Sequence, residues 1–172
     1  MCPGEAAKGD DTLRGTGRRP TLPRDRGVYV VVYHLTGEVV ISGRGGKLVA
    51  RVGPGYVAYV GSAGGPGGLR ARLGRHLSGA RRRWWHVDSI SSSPNSTPVL
   101  AYYEVGRWGR DAEDGLASRL ASLGLRPVGM VGATDSRSPH LFVVDDVDRL
   151  ARELSSMGGT TVRLDEGKGS SV

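Results

Sequence analysis

Cysteine is almost missing from this chain. The single Cys2 excludes an intramolecular disulfide and any zinc site built on a cysteine cluster. Long apolar runs are missing too. No stretch has membrane length and no segment near the start reads as a signal peptide, so a soluble, cytoplasmic protein with no membrane contact is expected. Apolar residues make up only 38%, diluted by 28 glycines. Lysine is scarce, since only three of the 24 basic residues are not arginine. Acid is missing locally: between Val39 and Val87 there is no Asp or Glu.

That acid-free stretch carries Arg44, Lys47, Arg51, Arg70, Arg72, Arg75, Arg81, Arg82 and Arg83. The formal charge of +7 is therefore concentrated in one part of the chain. A local basic patch is what binding to a phosphate backbone requires, and nucleic acid is the expected partner. A solvated basic face in an arginine-rich protein gives the same composition.

The 172 residues suit one domain with loose ends. Residues 1–26 are rich in Gly, Pro, Arg and Asp without periodicity, so a disordered basic extension is expected there, with the domain over 27–157 and a tail over 158–172. Within the domain, "GVYVVVYHL" reads as a strand. Its alternation places Tyr29, Val31 and Tyr33 on one face and Val28, Val30 and Val32 on the other. "EVVIS" and "GKLVARV" read as a hairpin, and "GYVAYVG" as the next strand. Leu69, Leu73 and Leu77 fall at helical spacing. "VLAYYEV" and "HLFVV" are further strands. A helix from about Ala112 to Leu123 is expected behind an Asp111 cap, and another after Asp145 and Asp146. The class is a small α+β domain.

The glycine-rich "GSAGGPGGLR" precedes a helix, as nucleotide-binding loops do. It lacks the lysine and hydroxyl of a P-loop, and its glycines do not have the dinucleotide-binding spacing. Two readings remain: a plain turn, or a helix start whose free N–H groups receive an anion. Beyond it, Arg72 and His76 share a helix face, which suits either a phosphate clamp or a surface arginine beside a partly buried histidine. Glu113, in the first turn of its helix and on the inward side, suits Mg²⁺ binding or compensation of the helix dipole.

Taken in order, these pieces resemble the GIY-YIG nuclease superfamily. "GVY" (Gly27, Val28, Tyr29) is similar to its first half-motif and "YVG" (Tyr59, Val60, Gly61) to its second. "LRARLGRH" is similar to the helix bearing its essential arginine, at Arg72, followed by a histidine, at His76. Glu113 matches the metal-binding glutamate. The resemblance is strongest to a mainly archaeal branch, long labelled a domain of unknown function and sometimes fused to endonuclease III-like glycosylases. Its pattern continues through "WHVD" (Trp85 to Asp88), "EDGLA" (Glu113 to Ala117) and "GATDSRSPHLF" (Gly132 to Phe142). The chain departs from that pattern at three cysteine positions, occupied here by Asp114, Ser136 and Ser138. The gap between the half-motifs is also long, and the hairpin from Glu38 to Val52 fills it.

The resemblance implies a three-stranded antiparallel core, with the hairpin inserted, flanked by helices. It implies a metal-dependent endonuclease acting on DNA, in repair or recombination, with a repair protein as a partner and Mg²⁺ or Mn²⁺ as cofactor. Glu113 would hold the metal, Arg72 the scissile phosphate, and Tyr29 would orient or deprotonate the attacking water. The last role needs a nearby cation to lower the tyrosine pKa. Tyr59 and His76 would support the same pocket, with Gly27 and Gly61 as structural parts of the motif. Arg70, Arg75, Arg81, Arg82, Arg83 and Lys47 are the expected nucleic-acid contacts. His86, Asp88, Asp135 and His140 recur in the branch pattern, where His86 and Asp88 would orient each other or join the site. Trp84 and Trp85 suit core packing or stacking on an unpaired base. The alternative functions are an accessory module that binds nucleic acid without cutting it, and a structural protein whose basic patch meets an acidic partner.

Overall fold

The computed structural model describes residues 20–43, 46–79, 86–129 and 138–164. Eight strands and four helices organise the described residues. In chain order they are β1 (Gly27–Leu35), β2 (Val39–Ser42), β3 (Leu48–Val52), β4 (Gly55–Ala63), α1 (Gly68–Ser78), α2 (Asp88–Ser91), β5 (Ser96–Val105), α3 (Arg110–Ser122), β6 (Arg126–Pro127), β7 (Leu141–Val144), α4 (Val147–Ser156) and β8 (Thr160–Arg163). Six strands form one sheet in the order β6-β7-β4-β1-β5-β8, and every neighbouring pair is antiparallel. The α+β class expected from sequence holds.

β1 is the central strand, paired along its whole length with β4 on one side and β5 on the other. Its β-branched and aromatic residues are buried on both faces, as a strand covered on two sides requires. The alternation separates two cores. Tyr29, Val31 and Tyr33 face Leu69 and Leu73 of α1, Ile90 of α2, and Val39 and Ile41 of β2. Val28, Val30 and Val32 face Leu116, Ala117 and Leu120 of α3 and Leu150, Ala151 and Leu154 of α4. Each leucine taken fully out of water stabilises the fold by about 2 kcal/mol before ordering costs.

Several expectations need correction. The inserted hairpin does not join the central sheet. β2 and β3 pair only with each other and pack over the Tyr29 face through Val39, Ile41 and Val52. Residues 20–26 do not belong to a disordered extension. Leu22 is buried in the core, and the carbonyls of Pro23 and Asp25 accept from Arg70 N–H (2.8 Å) and Leu69 N–H (2.9 Å). The strap runs so close to α1 that Gly68, with φ +51°, could carry no Cβ without striking the carbonyls of Arg24 and Asp25. The same bonds answer the question of an anion at the start of α1: chain carbonyls take the N–H groups a phosphate would need. At the other end, β8 lies inside the expected tail and pairs with β5. Asp111 sits within α3, whose N-cap is Gly109. Among the described residues, no helix is long and apolar enough to cross a membrane.

Candidate active site

The site forms where β1, β4, α1 and the first turn of α3 meet. Antiparallel pairing sets Tyr29 directly opposite Gly61, so the two residues point to the same face. With no side chain at Gly61, the Tyr29 ring lies across the glycine; a Cβ there would come within 2.5 Å of the ring carbon Cζ and the hydroxyl. Tyr59, two residues earlier on β4, shares that face, with its ring centroid 6.5 Å from that of Tyr29. Gly27 has its own steric reason: a Cβ would strike the carbonyl of Glu104 and come within 2.8 Å of the Leu69 side chain.

α1 docks on this face through Leu69 and Leu73, which carries Arg72 and His76 in with them. The His76 ring is buried and lies 5.9 Å from the Tyr29 ring and 6.0 Å from the Tyr59 ring, centroid to centroid. Neither of its nitrogens has a hydrogen-bond partner among the described residues. Burial pushes its pKa down to about 4, against the pull of Asp88. It is therefore neutral at neutral pH. Arg72 is half-buried. Desolvation works against its charge, but Tyr29, Tyr59 and Glu113 together hold its pKa above the usual arginine value.

Burial favours the protonated form of both tyrosines. Burial pushes the Tyr29 hydroxyl up to about 12, although the adjacent Arg72 guanidinium pulls the other way. Burial likewise raises Tyr59 well above 10. The cation that a tyrosinate would need is in place, yet desolvation outweighs it. The Tyr29 hydroxyl keeps its proton and lies against the Arg72 guanidinium.

Glu113 arrives from the opposite layer. α3 packs on the other face of the sheet, but its start is tied to β4: Gly109 N–H donates to Ser62 Oγ (2.7 Å), and Glu113 N–H to the Gly109 carbonyl (3.0 Å). The β4–β7 pairing ends at Tyr59, followed by one bond from Val60 N–H to the His140 carbonyl. Glu113 reaches the site past this edge, near enough for its charge to act on Tyr29, Tyr59 and Arg72.

His140 acquires a role that sequence reasoning did not supply. Its Nδ1 lies 2.8 Å from Glu113 Oε1 and its Nε2 3.0 Å from Asp114 Oδ1. One ring thus bridges two adjacent carboxylates that diverge from the helix. Desolvation opposes its protonation, but the two carboxylates raise its pKa above the usual histidine value, so both nitrogens act as donors when it is charged. The Glu113 side chain stays partly exposed beyond this contact, so its carboxylate is open to a ligand. Asp114, where the branch pattern has cysteine, is the second residue that sequence reasoning missed. The signal was its adjacency to Glu113, but nothing in the sequence tied it to a histidine 26 residues later.

Other expected residues are placed differently. Asp88 is buried, and its Oδ1 accepts from Arg75 Nη2 at 2.5 Å, with His76 Nδ1 at 3.8 Å. It stands behind His76 and joins α1 to α2. Arg75, expected to contact nucleic acid, has a structural partner there. His86 lies against Gly43 of the hairpin. Arg70 and Lys47 are exposed and available to a polyanion. Arg44, Arg81, Arg82, Arg83, Trp84, Trp85, Asp135 and Ser136 lie outside the described residues.

The buried histidine carries a pH prediction. His76 has a folded pKa below its unfolded value, so the unfolded chain binds the extra proton between pH 6.5 and 4. Stability should be fully present above pH 6.5 and fall as pH drops toward 4, by up to about 1 kcal/mol per pH unit. Urea melts at pH 7, 6, 5 and 4.5 measure it. A His76→Phe variant should lose that part of the slope. An identical slope in wild type and variant would show that other groups set the acid limit.

Compared with known families, the chain matches one model, described as "Domain of unknown function DUF123", over residues 28–162. No curated protein and no solved structure matches it.

Proposed function

The chain belongs to this family of domains of unknown function, DUF123, and from that premise we propose that it is a metal-dependent endonuclease of the GIY-YIG type that hydrolyses DNA phosphodiester bonds. The observation that carries the proposal is the convergence of Tyr29, Tyr59, Arg72 and Glu113 from four separate elements on one locus. Gly61, pressed against the Tyr29 ring, gives the paired half-motifs a geometric reason.

The donor chemistry suits a hard cation. Mg²⁺ and Mn²⁺ take carboxylate oxygen, and Mg²⁺ typically uses one or two carboxylates plus water and substrate phosphate. Among the described residues there is no group of three His, Cys, Asp or Glu that could hold a metal, so the protein would offer chiefly the Glu113 carboxylate. When bound, the cation would stabilise negative charge on the phosphate and the leaving oxygen.

The chain's own residues would do the rest. Arg72, charged and partly desolvated, binds the scissile phosphate and the charge that develops on it. Tyr29, still protonated, orients the attacking water through its hydroxyl. His76, neutral and buried between the Tyr29 and Tyr59 rings, fixes their position in the pocket. His140 and Asp114 hold the Glu113 carboxylate in place.

The test is cleavage of branched and single-stranded DNA by the purified protein. Cutting should require Mg²⁺ or Mn²⁺, stop on chelation, and be lost in Glu113→Ala. Cutting that persists unchanged in Glu113→Ala overturns the site. A second reading, binding without hydrolysis, is favoured by one observation: Glu113 already has one carboxylate oxygen bonded to His140. That reading predicts salt-sensitive DNA binding with no product at any metal concentration.

A further inference from the structure

We propose that Trp108, with Arg26 against it, forms a stacking platform for an unpaired base of single-stranded DNA at the rim of the candidate site. The inference rests on the nuclease reading and specifies its substrate.

Trp108 is 47% exposed, whereas the aromatic rings of the site itself are buried. An indole is large and mostly buried in folded proteins, so one half in water needs an explanation. Trp108 is not loosely held. A Cβ on Gly64 would lie 2.9 Å from its Cδ1, so the glycine-rich loop presses on the pyrrole edge. The Arg26 guanidinium carbon lies 5.2 Å from the ring centroid. The ring is therefore positioned before any ligand arrives, which lowers the ordering cost of binding.

Its location links it to the chemistry. The next residue, Gly109, donates its N–H to Ser62 Oγ, directly after Gly61, and accepts from Glu113 N–H. Gly109, the residue after the platform, caps α3 one turn, about 5 Å along the axis, before the metal-binding candidate Glu113. Besides Arg26 over the ring, exposed Arg107 and Arg110 lie one and two residues from it in the chain, and Arg107 is 3.8 Å from Glu104. Guanidinium groups for phosphates around an aromatic face for a base are the two parts of a single-strand binding surface. A duplex keeps its base faces stacked inside, so only an unpaired or splayed base can use the indole.

The test uses the full chain in EDTA with oligonucleotides carrying 2-aminopurine, single-stranded and duplex. Anisotropy gives affinity, and quenching of 2-aminopurine reports stacking. Wild type should bind the single strand and quench it. Trp108→Ala should bind the single strand roughly tenfold more weakly, lose the quenching and keep its duplex affinity. Trp108→Phe should retain most of both. Arg26→Ala, which leaves the indole, should reduce affinity but preserve quenching. The platform is overturned if Trp108→Ala binds and quenches as wild type does, or if it weakens duplex and single strand equally. Wild type that binds neither DNA overturns the platform and the DNA reading together. Wild type that binds both, with no effect of Trp108→Ala, overturns the platform alone.

Discussion

Arg72→Ala should slow DNA cleavage by at least about 10²-fold while leaving the fold intact. The expectation follows from where the guanidinium sits. It lies beside the Tyr29 hydroxyl and within reach of Glu113, with part of its hydration removed. Charge placed before the reaction, in a partly desolvated setting, stabilises developing negative charge more than a hydrated surface arginine would. Since the contribution is to the transition state, kcat should fall more than KM rises.

Arg72→Lys should recover little of the loss. A single ammonium cannot reproduce a planar fork that reaches two phosphate oxygens. The fold should survive because Leu69 and Leu73, not Arg72, dock α1 on the sheet. Single-turnover cleavage of a labelled branched substrate, together with a thermal melt, separates the two effects. A melt like wild type with cleavage reduced a hundredfold supports the assignment. Unchanged cleavage removes Arg72 from the chemistry.

What could be read from the sequence depended on the range of the interactions. β1, β4 and α1 were legible because short-period patterns encode them. Alternation in "GVYVVVYHL" assigned both faces correctly, and the leucine spacing gave α1. Elements held by distant partners were not legible. Leu22 is one apolar residue in a polar run, and only α1, more than forty residues later, explains its burial. β8 is too short for alternation to register and exists because β5 offers an edge. The Asp111 cap was misplaced because an acid in a helix's first turn suits the dipole as well as a cap, and Gly109 starts the helix by backbone geometry instead. Trp108, flanked by glycine and arginine, has no periodicity; its meaning comes from Gly64 and Arg26, far away in the chain. The four residues of the candidate site were named through the resemblance. The bonds that orient Glu113 emerged only when His140 was brought beside it.

Gly61→Ala is the substitution expected to damage both fold and activity, although it adds a single methyl group. The added carbon would lie 2.5 Å from Cζ and the hydroxyl of Tyr29 and 2.9 Å from Cε2, well inside contact distance. The ring cannot simply turn aside. Tyr29 is fully buried, and the rings of Tyr59 and His76 are close by. Nor can β4 move away easily, because its register with β1 is continuous from Gly55 to Ala63. Overpacking of this kind costs about 3 kcal/mol. For a chain of this length that should lower Tm by roughly 6–12 °C. Activity should drop further than stability alone explains, because shifting the Tyr29 hydroxyl by about 1 Å misaligns it by an amount that can cost 10²-fold. A double-mutant cycle isolates the clash. Tyr29→Val removes the ring, so adding Gly61→Ala to Tyr29→Val should cost much less than adding it to wild type, with a coupling of about 1–3 kcal/mol. If the two substitutions are additive in urea melts, the ring and the glycine are not in the contact described, and the steric account of the paired half-motifs fails.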